Sequence, residues 1–76
     1  KADRKETRRI EKELRRVERE LEKANTRESE LHELLAEHAT DYEQLAPLQA
    51  ELSEVKSAKE SLEAEWLENS ELLEAG

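Results

Sequence analysis

Apolar residues along the chain fall into two heptad runs that mirror each other about a point between Asp41 and Tyr42. The first run places Ile10, Leu14, Val17, Leu21, Ala24, Glu28, Leu31, Leu35 and His38 at alternating spacings of four and three. The second places Leu45, Leu48, Leu52, Val55, Lys59, Leu62, Trp66, Asn69 and Leu73 at alternating three and four. Such spacing is the seam of a coiled coil. Each position in the first run has a partner in the second such that the two numbers sum to 83: Ile10 with Leu73, Val17 with Trp66, Leu21 with Leu62, Leu31 with Leu52, Leu35 with Leu48. In every pair an a position faces a d position, as an antiparallel arrangement requires. The pattern therefore predicts an all-α fold, an antiparallel two-helix coiled-coil hairpin closed along one seam.

The expected layout is a single hairpin over residues 1–76, with helix one from about 4 to 38, a turn over 39–45 and helix two from about 46 to 74. No Gly or Pro interrupts the first helix, and Asn25, Thr26 and Ser29 are its weakest stretch. Asp41 followed by Gln44 resembles a capping box that would restart the helix. Pro47 opposes so early a restart. Six residues past a cap it removes a hydrogen bond and crowds the preceding turn, whereas near the first helical position it is tolerated. Either a kink at Pro47 or a regular helix beginning only around Ala46 is expected.

Composition narrows what such an object can do. At 45% charged and 3% aromatic residues, the chain has the profile of a long helix rather than of a globular core. One layer of core leaves nowhere to bury a substrate. Fourteen of the eighteen seam positions are apolar. A fully buried aliphatic side chain contributes roughly 1.5 to 3 kcal/mol, against an ordering cost on the order of 1 to 2 kcal/mol per residue, so stability should be modest. Cysteine is absent, which excludes disulfides and thiolate metal sites. No apolar run approaches the roughly 20 residues of a membrane span, and no signal-peptide pattern opens the chain. No membrane partner and a cytoplasmic location are the expectation.

Charge is distributed unevenly. Residues 1–27 hold eleven Lys and Arg against seven acids, a net of +4, and residues 28–76 hold two against fourteen, a net of −12. The excess of cations is thus confined to the first part of helix one, and the rest of the chain is acidic. In heptad letters Lys5, Arg8, Arg9, Lys12, Arg15, Arg16, Arg19 and Lys23 all fall at b, c or f, away from the partner helix, while Glu6, Glu11, Glu13, Glu18 and Glu20 take the flanking e and g positions. Like charges four apart, such as Arg8 with Lys12 and Arg15 with Arg19, each cost a few tenths of a kcal/mol. These eight residues are the candidate nucleic-acid-binding set, because a stripe of this kind suits a phosphate backbone. The plainer reading is a solvated face, partly neutralised by Glu11 with Arg15 and Glu6 with Arg9.

Polar residues inside the seam have their own consequences. Glu28 would face Val55 and Lys59 would face Ala24, one layer apart, so the two can pair diagonally and set the register. The mirror also brings Glu18 opposite Glu63 and Glu20 opposite Glu65. Repulsion there predicts that mild acid stabilises the hairpin.

Catalytic signals are poor. His32 and His38 are six apart on different faces and suggest no third ligand. The one glycine is Gly76, so no phosphate-binding loop exists here. Carboxylates are abundant but sit on a convex rod without a cleft. Trp66 and Tyr42 are the only aromatics, too few for a base-stacking platform. No catalytic residue, cofactor or metal site is expected in these 76 residues.

Three stretches carry a likeness to a known family: the basic Arg8-Arg9-Ile10-Glu11-Lys12-Glu13-Leu14, the restart Asp41-Tyr42-Glu43-Gln44-Leu45, and the ending Leu62-Glu63-Ala64-Glu65-Trp66-Leu67-Glu68. Together they make the chain resemble the C-terminal coiled-coil domain of ABC-F proteins, the Uup-like soluble branch of the ATP-binding cassette superfamily. The resemblance implies two ATPase cassettes elsewhere in a parent chain, a role on ribosomes and in translation rather than in transport, and, for some such hairpins, nucleic-acid binding. Two readings stay open. In one the hairpin is an accessory module whose basic stripe contacts ribosomal RNA or another nucleic acid. In the other it is a structural or protein-interaction element, a spacer or homodimer contact, for which Leu34, Leu67 and Leu72 outside the seam would supply a second strip.

Overall fold

Asp3 starts the first helix. Its backbone is extended (φ −78°, ψ 172°), and its carboxylate accepts the N–H of Glu6 at 2.8 Å, the bond that satisfies one of the free donors of a helix N-terminus. The computed structural model describes residues 3–75 and contains two helices of 34 residues each, α1 (Arg4–Glu37) and α2 (Tyr42–Ala75). Thirty-four residues at ~1.5 Å each give about 51 Å. The molecule is a rod of 56 × 14 × 13 Å, so the helices lie side by side for their whole length. No helix among the described residues is long and apolar enough to cross a membrane.

The reversal takes only residues 38–41. The His38 N–H donates to the Leu34 carbonyl at 2.9 Å and the Asp41 N–H to the His38 carbonyl at 2.9 Å. The turn is therefore shorter than the 39–45 expected, and α2 starts at Tyr42 rather than near 46. Asp41 contributes its backbone here, its carbonyl accepting from Gln44 at 3.1 Å and from Leu45 at 3.0 Å. Pro47 consequently lies inside the helix, where it offers no N–H to the carbonyl of Glu43. Two gains offset that loss. The early start satisfies the Gln44 and Leu45 amides, and it brings Leu45 half-buried onto the seam. Only one helical turn precedes Pro47, so any distortion stays local. Replacing Pro47 with Ala should stabilise the hairpin by about 1 to 3 kcal/mol, read as a higher urea midpoint in far-UV circular dichroism. An unchanged or lower midpoint would show that the first turn of α2 carries no strain.

The core is the seam and little else. Ile10, Val17 and Leu31 are buried, with Val17 and Leu31 at 0% exposure. All three occupy d positions of α1, and the register sets them against Leu73, Trp66 and Leu52. No residue of α2 is fully buried. In a single layer each helix is covered from one side only, so the other seam side chains remain half in water. Trp66 spans the seam edge at 38% exposure, and its indole N–H donates to Glu18 at 3.1 Å. The side-chain bonds between helices, Arg16 with Glu65, Glu18 with Trp66, Arg27 with Glu51 and Glu28 with Lys59, all pair residues whose numbers sum to within five of 83.

The strip expected from Leu34, Leu67 and Leu72 does not form. Leu34 is half-buried beside the turn, whereas Leu67 and Leu72 are exposed in the last turns of α2, at the opposite end of the rod.

Candidate functional site

Midway along the seam the apolar layers give way to charge. Lys59 donates to Glu28 at 2.9 Å with both side chains only 22% exposed, the diagonal pair that the spacing implied. On the adjoining edge Arg27 grips Glu51 with two bonds, Nε to Oε2 at 2.6 Å and Nη2 to Oε1 at 2.9 Å. Reasoning from a and d positions missed this pair. Its signal was present, since both residues are g positions and antiparallel helices align g with g.

These contacts tune their acids. The hydrogen bond from Lys59 holds the Glu28 carboxyl below the usual carboxylate range despite opposing desolvation; the charges of Lys59, His32 and Lys56 add smaller effects. The Glu51 carboxyl is likewise lowered, first by its hydrogen bond from Arg27. A carboxylate with a depressed folded-state value contributes stability that is full above its unfolded value of about 4.3 and lost as pH falls through the folded one. In about 0.15 M salt, which screens the general repulsion, the melting temperature should fall as pH drops from about 5 to about 3. The double variant Glu28→Gln, Glu51→Gln should flatten that dependence. A melting temperature that climbed throughout this acid range would contradict the assignment.

The facing glutamates behind the mild-acid expectation are a separate set from Glu28 and Glu51. Three of these four glutamates acquire partners, Glu18 accepting from Trp66 at 3.1 Å, Glu65 from Arg16 at 3.2 Å and Glu20 sitting 3.7 Å from Lys23, whereas Glu63 makes no ion pair among the described residues.

The eight candidate cations divide into two columns. Arg9, Arg16 and Lys23 all occupy c positions, and each turns to the g-position glutamate three residues earlier: Arg9 to Glu6 at 3.7 Å, Arg16 to Glu13 at 3.2 Å, Lys23 to Glu20 at 3.7 Å. Arg16 also reaches across to Glu65 at 3.2 Å, so it does not point away from α2 as its heptad letter suggested. The remaining five, Lys5, Arg8, Lys12, Arg15 and Arg19, alternate between f and b and are exposed. They make no ion pair among the described residues, and the Glu11–Arg15 pair suggested by spacing is not formed.

Alternating steps of three and four nearly match the 3.6-residue turn, so these five form a straight ladder. From Lys5 to Arg19 it extends about 21 Å at ~1.5 Å per residue. Glu22 occupies the next rung and ends it. No aromatic lies on it: Trp66 belongs to α2, and Tyr42, 85% exposed, sits at the turn end of the rod. The arrangement can hold an extended anion by charge and hydrogen bonding, and has no face on which to stack a base. Among the described residues no group of three or more His, Cys, Asp or Glu could hold a metal ion.

The described residues form an antiparallel helical hairpin with a cationic outer face on the first half of α1. The family model described as the ABC transporter C-terminal domain matches residues 2–71, and the chain belongs to that family, as its resemblance implied. It is an accessory domain of an ABC protein. No curated protein and no solved structure matches the chain.

Proposed function

We propose that this hairpin is the C-terminal accessory module of a soluble, ABC-F-type ATPase and holds nucleic acid, ribosomal RNA foremost, on the outer face of α1. The observation that carries the reading is the ladder Lys5, Arg8, Lys12, Arg15 and Arg19, exposed and unpaired among the described residues. A solvated face built only for solubility gains nothing from five like charges aligned at three- and four-residue spacing, because such neighbours repel. An anionic backbone turns that repulsion into attraction. Contacts of this kind position a phosphate chain without reading sequence, and counterion release makes them salt-dependent. ATP hydrolysis would belong to cassettes of the parent chain, in keeping with the family. The test is titration of the chain against labelled duplex DNA and structured RNA beside a variant with Lys12, Arg15 and Arg19 replaced by Glu. Binding by the wild type that the variant loses supports the reading. Absence of binding at about 50 mM salt overturns it and leaves a spacer or protein-docking hairpin.

A further inference from the structure

Beside the five-rung ladder lies a sixth cation that the fold holds back. Arg16 sits between the ladder and the g-position edge where the two helices meet. Its neighbours four residues before and three after are Lys12 and Arg19, both ladder residues and both on the face within its reach. Yet its guanidinium is turned the other way, Nε and Nη2 donating to Glu13 at 3.3 and 3.2 Å and Nη2 to Glu65 at 3.2 Å. Arg9 and Lys23, in the same column, are tied only within α1. Arg16 alone of the three is held from both helices.

We propose that Arg16 is a reserve phosphate-binding residue, kept off the ladder by Glu13 and Glu65, so that α2 limits how tightly α1 holds an anionic backbone. The inference rests on the nucleic-acid reading above. Its physical basis is the g-position edge itself, where Glu13 and Glu65 stand as like charges across the helix interface with Arg16 bridging them. The bridge is loose. Its bonds exceed the 2.7 to 2.9 Å of strong charge-assisted contacts, and Arg16, Glu13 and Glu65 are 42%, 49% and 49% exposed, where ion pairs are weak and screened. A phosphate oxygen seated on Lys12 and Arg19 can therefore compete for the guanidinium. What opposes the exchange is the Glu13–Glu65 repulsion it uncovers. The contrast is Arg27, which holds Glu51 by two short bonds and is committed to the hairpin.

The experiment measures binding to a fluorescent DNA duplex of about 20 base pairs between 50 and 200 mM salt. It compares the wild type, Glu65→Gln, Glu13→Gln, Arg16→Gln and the double variant Glu65→Gln, Arg16→Gln. Glu60→Gln serves as the charge-matched control, because Glu60 is exposed on α2 and makes no ion pair among the described residues. Circular dichroism confirms that each variant keeps wild-type helicity. Glu65→Gln should bind more tightly than Glu60→Gln and lose about 3.5-fold more affinity over the salt range, the increment of one added phosphate contact. Glu13→Gln should move the same way, and adding Arg16→Gln should cancel the gain. Equal behaviour of Glu65→Gln and Glu60→Gln overturns the proposal, as does Arg16→Gln alone shedding one contact from the wild type. A wild type that does not bind at low salt overturns the nucleic-acid reading and this inference together. A wild type that binds with Glu65→Gln unchanged overturns this inference only.

Discussion

Replacing Leu31 with Ala should lower the stability of the hairpin by about 2 to 5 kcal/mol, the range for removing a buried leucine from a packed site. Among the described residues Leu31 and Val17 are the fully covered large side chains, at 0% exposure. It lies in the apolar half of the seam between the Glu28–Lys59 layer and the turn, where it faces Leu52. Small domains have total stabilities of only about 5 to 15 kcal/mol, and a hairpin with three buried apolar residues among those described belongs at the low end. The loss should therefore be visible at 25 °C as reduced helix content as well as an earlier urea transition. Leu72, 52% exposed near the far end of α2, is the control, and its replacement by Ala should change stability by no more than about 0.5 kcal/mol. Equal effects at the two positions would mean that the seam is not what holds the helices together.

Seam residues were readable because coiled-coil packing depends on spacing alone. The run from Ile10 to His38 and its mirror from Leu45 to Leu73 fix which faces meet, and the diagonal between Glu28 and Lys59 follows from the same register. Two features lay beyond that rule. The start of α2 was misjudged because the local cost of Pro47 is offset by a tertiary gain, the seating of Leu45 and the satisfied amides on Asp41. The charged stripe was legible only as far as Cβ, because heptad letters assign a direction to the Cα–Cβ bond, not to the end of an arginine. Arg16 leaves its helix at a c position and still ends at Glu65. The glutamates at g decide which cations remain free, and the g positions of both helices had to be read together to see it.

Affinity for duplex DNA should fall about 500-fold between 50 and 200 mM salt. Each phosphate contact contributes about 0.9 to the slope of log K against log salt, so five free cations give a slope near −4.5, and a fourfold rise in salt multiplies to that loss. Had all eight basic residues been contacts, the slope would be near −7 and the loss about 20,000-fold. The measurement thus separates the ladder from the full stripe by a factor of about 40, well outside the error of a titration. Single replacements should follow the same division. Arg15→Gln should remove about one contact from the slope, whereas Arg9→Gln, which frees Glu6 instead of losing a phosphate partner, should leave it nearly unchanged. A slope near −7 would mean that Arg9, Arg16 and Lys23 abandon their glutamates when a polyanion arrives. The exposed 3.7 Å pairs of Arg9 and Lys23 would yield first, and the two-helix bridge at Arg16 last. The order in which contacts appear as glutamates are neutralised therefore separates restraint within α1, at Arg9 and Lys23, from the restraint that α2 adds at Arg16.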